Sequence, residues 1–256
     1  MLSLLKIDLR KIFKSVFLLI AIGVAVGFPF FIMGLSASGV ESTGIDGSEL
    51  LAPQMIDFAF SPMFITGLML PVFGAVLIGM DFAGGMVRNK IIAGNSKTNI
   101  YLSHLISTSI FYVLIAFLSF GGYVLAGQIF FHAFDTIDVD VLIWFLVSGL
   151  ISYIFMASMT VLLTSLTKNV VSIPFVVILD LVLGVAVTVL PIIEALMVQS
   201  DGSTLPDIVY LIPLYGVTVT RILTTTQKVL TIVTAILFTA INTLIGILCF
   251  KKSDIK

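Results

Sequence analysis

Asp180 is the one carboxylate set deep inside a long apolar run of this 256-residue chain, roughly 16 Å beyond Asn169 at about 1.5 Å of helical rise per residue. An ionised Asp near the middle of a bilayer costs about 2.5 to 3.5 kcal/mol, so this residue must face a cavity, a partner helix or a cation, or carry a proton. Two readings stand: a substrate or gating contact, and a hydrogen bond that fixes helix packing, the second being preferred. His104 and His132 lie near opposite ends of one apolar run, too far apart to share a metal, and no cluster of His, Cys or carboxylate supplies three ligands, so no metal site is expected. No Ser stands in a Gly-x-Ser-x-Gly elbow and neither His is placed to serve as its base, so no catalytic residue is expected either.

A second chemistry-bearing stretch runs from Asp81 to Tyr101 and reads Asp-Phe-Ala-Gly-Gly-Met-Val-Arg-Asn-Lys-Ile-Ile-Ala-Gly-Asn-Ser-Lys-Thr-Asn-Ile-Tyr. Its Gly94-Asn-Ser-Lys-Thr98 imitates a phosphate-binding loop, but Ser96 stands where the Gly before Lys is required and no upstream Gly has the right spacing. Gly84 and Gly85 permit a chain break, Met86 to Ala93 suit about two helical turns, and Gly94 with Asn95 makes a helix stop. A short helix held between two longer elements follows from that order, a place for a partner to dock.

The elements that hold these residues are six apolar runs, near Val16–Leu35, Phe58–Met80, Ile100–Gly127, Val141–Leu166, Val170–Leu190 and Val229–Phe250. Crossing a hydrocarbon core of about 30 Å takes roughly 20 helical residues, whereas barrel strands alternate over only about 10. The expected fold is therefore an all-α integral membrane protein with six transmembrane helices. With 59% hydrophobic and only 11% charged residues, and a mean hydropathy of +1.21, the composition is far from that of a soluble domain and shows no nucleic-acid footprint. The lone Cys249 excludes an intrachain disulfide.

Charge sets the orientation. Every Lys and Arg except Arg221 and Lys228 falls in the gaps at one side: Lys6, Arg10, Lys11 and Lys14, then Arg88, Lys90 and Lys97, then Lys168, and finally Lys251, Lys252 and Lys256. Glu41, Asp46, Glu49, Asp57, Asp135, Asp138, Asp140, Glu194, Asp201 and Asp207 fall in the others. Basic loops mark the cytoplasmic face, so both termini are expected in the cytoplasm of a cell with this chain in its plasma membrane. The leader 1–15 mixes Leu2, Leu4, Leu5, Leu9, Ile12 and Phe13 with Lys6, Asp8, Arg10, Lys11 and Lys14, which suits either an amphipathic helix in the headgroup layer or a solvated basic leader. The first apolar run is too long for a signal peptide, so an uncleaved first helix is preferred. Gly23 and Gly27 form a Gly-x-x-x-Gly pair that allows close helix approach. The stretch 191–228, with Pro191, Pro206 and Pro213, is too polar to span and fits a re-entrant or interfacial segment, with Arg221 and Lys228 either anchoring it at outer headgroups or simply snorkelling.

In its order and spacing the stretch 81–100 resembles the coupling loop of ABC-2 type transporter permeases: Asp81, Gly85, Arg88, Asn89, Lys90, Gly94, Ser96 and Tyr101 stand at matching places. The basic leader and the tail Phe250-Lys-Lys-Ser-Asp-Ile-Lys256 resemble that family's ends, and the six-run plan extends the likeness over nearly the whole chain. Lys97 stands where the family commonly has Arg, and His104 where it commonly has Lys.

The resemblance implies a single ABC-2 (type V exporter-like) transmembrane domain over residues 1–256, with short extracellular helices before the last span. It implies two permease subunits, a second copy or a paralogue, working in membrane lipid with two cytoplasmic ATPase chains that bind ATP and Mg. This chain itself would hold no cofactor. Peptides, antibiotics and lipids are the substrates such a resemblance implies. A six-helix secondary transporter and a non-transporting membrane immunity or sensor protein are the alternatives. The first should show paired buried carboxylates or two related halves, which the sequence lacks.

Overall fold

A computed structural model describes residues 1–43, 65–131, 139–168, 172–201, 212 and 225–253. The described residues are helical throughout apart from turns: α1 (Leu2–Phe13), α2 (Val16–Thr43), α3 (Ile65–Ala83), α4 (Met86–Ile92), α5 (Lys97–Phe131), α6 (Val139–Thr167), α7 (Ser172–Asp201) and α8 (Thr225–Lys252). Four of them are long and apolar enough to cross a membrane, over Val16–Gly39, Lys97–Phe131, Leu142–Thr167 and Thr226–Lys252. The pair Gly67–Ala83 and Met86–Ile92, bent by 58°, makes a fifth if taken as one broken span. The protein is thus an all-α, multi-pass membrane protein.

α5 is the central post. It packs on α1, α2, α3, α4, α6 and α8, and Tyr101, Tyr112, Ile115, Ala116 and Tyr123 along it are wholly buried. Gly122 lets α2 come close: a Cβ there would lie 3.1 Å from the Ala25 carbonyl oxygen and from Pro29. The close approach that Gly23 and Gly27 allow is not made among the described residues, where a Cβ at either position meets nothing within 4 Å. Between α5 and α6 the Tyr112 hydroxyl donates to Thr160 Oγ1 at 3.0 Å, and between α8 and α6 Asn242 Nδ2 donates to Ser158 Oγ at 3.2 Å. Inside hydrocarbon such side-chain bonds join helices that apolar burial alone does not drive together. Exposed Phe31, Val182, Val185, Leu244 and Leu248 give the outer faces an apolar surface suited to lipid tails.

One departure from the sequence reading concerns the fifth run. α7 does not end at Leu190 but continues through Pro191 to Asp201, proline being tolerated inside membrane helices far better than in soluble ones. Among the described residues its apolar stretch is Ile173–Ala186, so α7 is not counted among the four. Most of the expected interfacial segment after α7, with Pro206, Pro213 and Arg221, lies outside the described residues, as does His132.

Candidate functional site

The end of the bundle that carries α1, α4 and the start of α5 holds a buried group of charges. Asp8 is the one acid in the basic leader, and it recurs with Leu4 and Ile12 at helical spacing on the face that α1 buries. Its carboxylate accepts from Lys90 Nζ at 2.6 Å and from Ser103 Oγ at 2.6 Å. Lys90 Nζ also lies 3.5 Å from Asp81 Oδ2. Lys11 donates to Asp81 and, at 2.7 Å, to the Leu77 carbonyl. His104 completes the set with Nδ1 at 3.8 Å from Asp81 and 4.0 Å from Asp8, while its buried Nε2 has no hydrogen-bond partner among the described residues. Four elements meet there: α1, the end of α3, α4 and α5.

Asp8, Asp81 and His104 bring their ligating atoms within 4.8 Å of one another, which corrects the expectation that no three-ligand cluster exists. The sequence reading compared His104 only with His132 and had no means to see Asp8 fold back onto α3 and α5. The donor set fits an ion-pair network better than a cation. Lys11 and Lys90 already neutralise the two carboxylates, and a divalent ion would leave two positive charges uncompensated, that of Lys90 buried.

The loop residues singled out from the sequence divide by direction. Asp81 and Lys90 turn inward, 3% and 8% exposed, whereas Arg88 and Asn89 face solvent and Ile92 beside them is 73% exposed. Gly85 begins α4 with φ +68° and Gly94 ends it with φ +85°, both left-handed values that favour glycine. The Asn95 backbone and side-chain N–H groups both donate to the Lys90 carbonyl, at 3.2 and 3.0 Å, closing the helix stop. Ser96 Oγ caps α5 by accepting from the Asn99 N–H at 3.3 Å. Lys97 reaches across to the end of α8, donating to the Ser253 carbonyl at 2.7 Å and the Lys251 carbonyl at 3.2 Å. Tyr101 packs beside Phe250 and over Gly246, where a Cβ would collide with its ring.

Asp180 lines a different cavity from the one beside this cluster. It is 5% exposed and lines a cavity of about 20 Å³ with Pro71, Phe155, Met156, Thr160 and Val176. Its Oδ2 accepts no hydrogen bond from the described residues, so the packing bond expected there is absent at that oxygen. The cavity is of the size that holds a water molecule.

A short helix bracketed by glycines is thus pinned inward by one lysine and presents Arg88, Asn89 and Ile92 outward. The model of the ABC-2 family transporter proteins matches residues 4–187, from α1 into α7, and so takes in Asp8, α4 and Asp180. No curated protein matches the chain. With well over half of its length matched, the chain belongs to the ABC-2 family, as a transporter permease subunit.

Proposed function

We propose that this permease works in an ATP-driven exporter, paired with a second copy or a paralogue and with two cytoplasmic ATPase chains that bind ATP and Mg. The observation that carries the reading is the outward edge of α4: Arg88, Asn89 and Ile92 stand exposed on a helix fixed between α3 and α5. An ATPase closing beneath the membrane would push on that edge through Asp81, Gly85, Arg88, Asn89, Lys90, Gly94, Ser96 and Lys97, the proposed coupling loop. α3 and α7, with the four longer spans, complete a six-helix domain whose basic end and both termini face the cytoplasm.

The cargo is an amphipathic molecule, a peptide, antibiotic or lipid, moved outward. The cavity at Asp180 is too small for such cargo, so Asp180 acts in this reading as a gating or pathway contact once the helices part. Purification of the tagged chain from its native membrane in mild detergent, with mass spectrometry of its companions and an ATP hydrolysis assay, tests the reading. A stoichiometric, ATP-hydrolysing companion supports it, and a folded chain that reproducibly comes alone counts against it.

A further inference from the structure

The geometry points to Asp8 as a positioning residue that locks α1 to α4, so that the leader helix and the coupling helix move as one rigid lever. α4 covers only Met86–Ile92, less than the length at which a helix holds itself together in water, and a left-handed glycine stands at each end. Left to its backbone, α4 would swing on Gly85 and Gly94. Its buried anchors are Val87 and Lys90, and the Lys90 ammonium is held by Asp8 at 2.6 Å with Asp81 behind it at 3.5 Å.

α1 is in the same position. It covers only Leu2–Phe13, leaves Leu2, Ile7 and Phe13 exposed, and buries Leu4, Asp8 and Ile12. Asp8 is the only charged residue on that buried face, and both its oxygens are engaged, one by Lys90 and the other by Ser103 of α5. A buried ion pair adds little net stability, but breaking it leaves a charge unpaired, so it fixes geometry strongly. The network therefore ties two short helices, neither stable alone, to α5. A push on α4 reaches α1 without slack, and α1 is joined through Ser15 to the start of α2. The lever's use rests on the coupling role proposed above; its rigidity does not.

The test is a spin-label distance between Ile7→Cys and Ala93→Cys at the end of α4, both exposed and outside the network and the docking edge, with Cys249→Ser as background. The complex with its ATPase, in lipid nanodiscs, is measured without nucleotide and trapped with ATP and vanadate. A rigid lever gives one narrow distance that shifts between states by less than its own width. Asp8→Asn broadens the distribution, and Lys90→Arg, which keeps the charge, restores most of the narrowness that Lys90→Met loses. A wild-type distance that shifts by more than its width overturns the proposal, and so does an Asp8→Asn distribution as narrow as wild type. If no ATPase accompanies the chain, the transporter reading falls but not the lock. Comparison of wild type with Asp8→Asn on the chain alone then decides it.

Discussion

Lys90 of α4 donates to Asp8 of α1 at 2.6 Å across 82 positions of sequence, and both side chains are buried. A lysine at the centre of a loop helix is thereby an internal strut, and the outward chemistry of that helix passes to its neighbours Arg88, Asn89 and Ile92.

Asp8→Ala leaves Lys90 short of one buried counter-charge and should destabilise the chain by about 3 to 5 kcal/mol, whereas the exposed Arg88→Ala should stay within about 0.5 kcal/mol. Thermal unfolding of both variants in one detergent gives the comparison. Equal midpoints would remove Asp8 from its structural role.

Reversal at Arg88 and reversal at Lys90 should fail differently. Arg88→Glu is expected to fold and insert normally but to lose its ATPase companion on purification. Lys90→Glu sets three carboxylates together with Lys11 alone beside them, so it should lose folded protein first. Size-exclusion profiles beside co-purification yields separate the two, and identical behaviour would show that both lysine and arginine serve docking alone.

Gly74 leaves room for the Tyr112 ring, since a Cβ there would lie 2.5 Å from the Tyr112 hydroxyl oxygen. Gly74→Ala should cost about 1 to 3 kcal/mol through overpacking. Tyr112→Phe should recover part of that loss in the double variant, giving a non-zero coupling in a double-mutant cycle. Gly23→Ala, with nothing near its new methyl, serves as the silent control.

Asp180→Asn should not lower the unfolding midpoint, because Asp180 Oδ2 accepts no hydrogen bond among the described residues and an amide is easier to bury than a carboxylate. Transport lost in a normally assembled variant would place Asp180 in the pathway; a large fall in stability would instead return it to helix packing.

The helices and the loop's punctuation were legible because they are local. Gly84 and Gly85 end α3, Met86 starts α4, and Gly94 with Asn95 stops it, each set by backbone preference within a few residues. The charge network was not legible, since Asp8, Asp81, Lys90 and His104 come from four elements and meet only after α1 folds back on α5. One clue was present: Asp8 keeps the spacing of Leu4 and Ile12, which places an acid on the leader's apolar face. Lys97 was read as a loop cation, yet it closes the carbonyl end of α8, a partner 154 positions away. Pro191 marks a stop in the sequence because proline breaks isolated helices, whereas α7 runs through it to Asp201.

The most direct test of the coupling role is a photo-reactive residue in place of Ile92, the most exposed apolar side chain of α4, irradiated in intact membranes from the native host. A single adduct with an ATP-hydrolysing subunit, weakened by Arg88→Glu, is the predicted result. Adducts with lipid or with the chain itself alone, from protein shown to be folded and inserted, would contradict it.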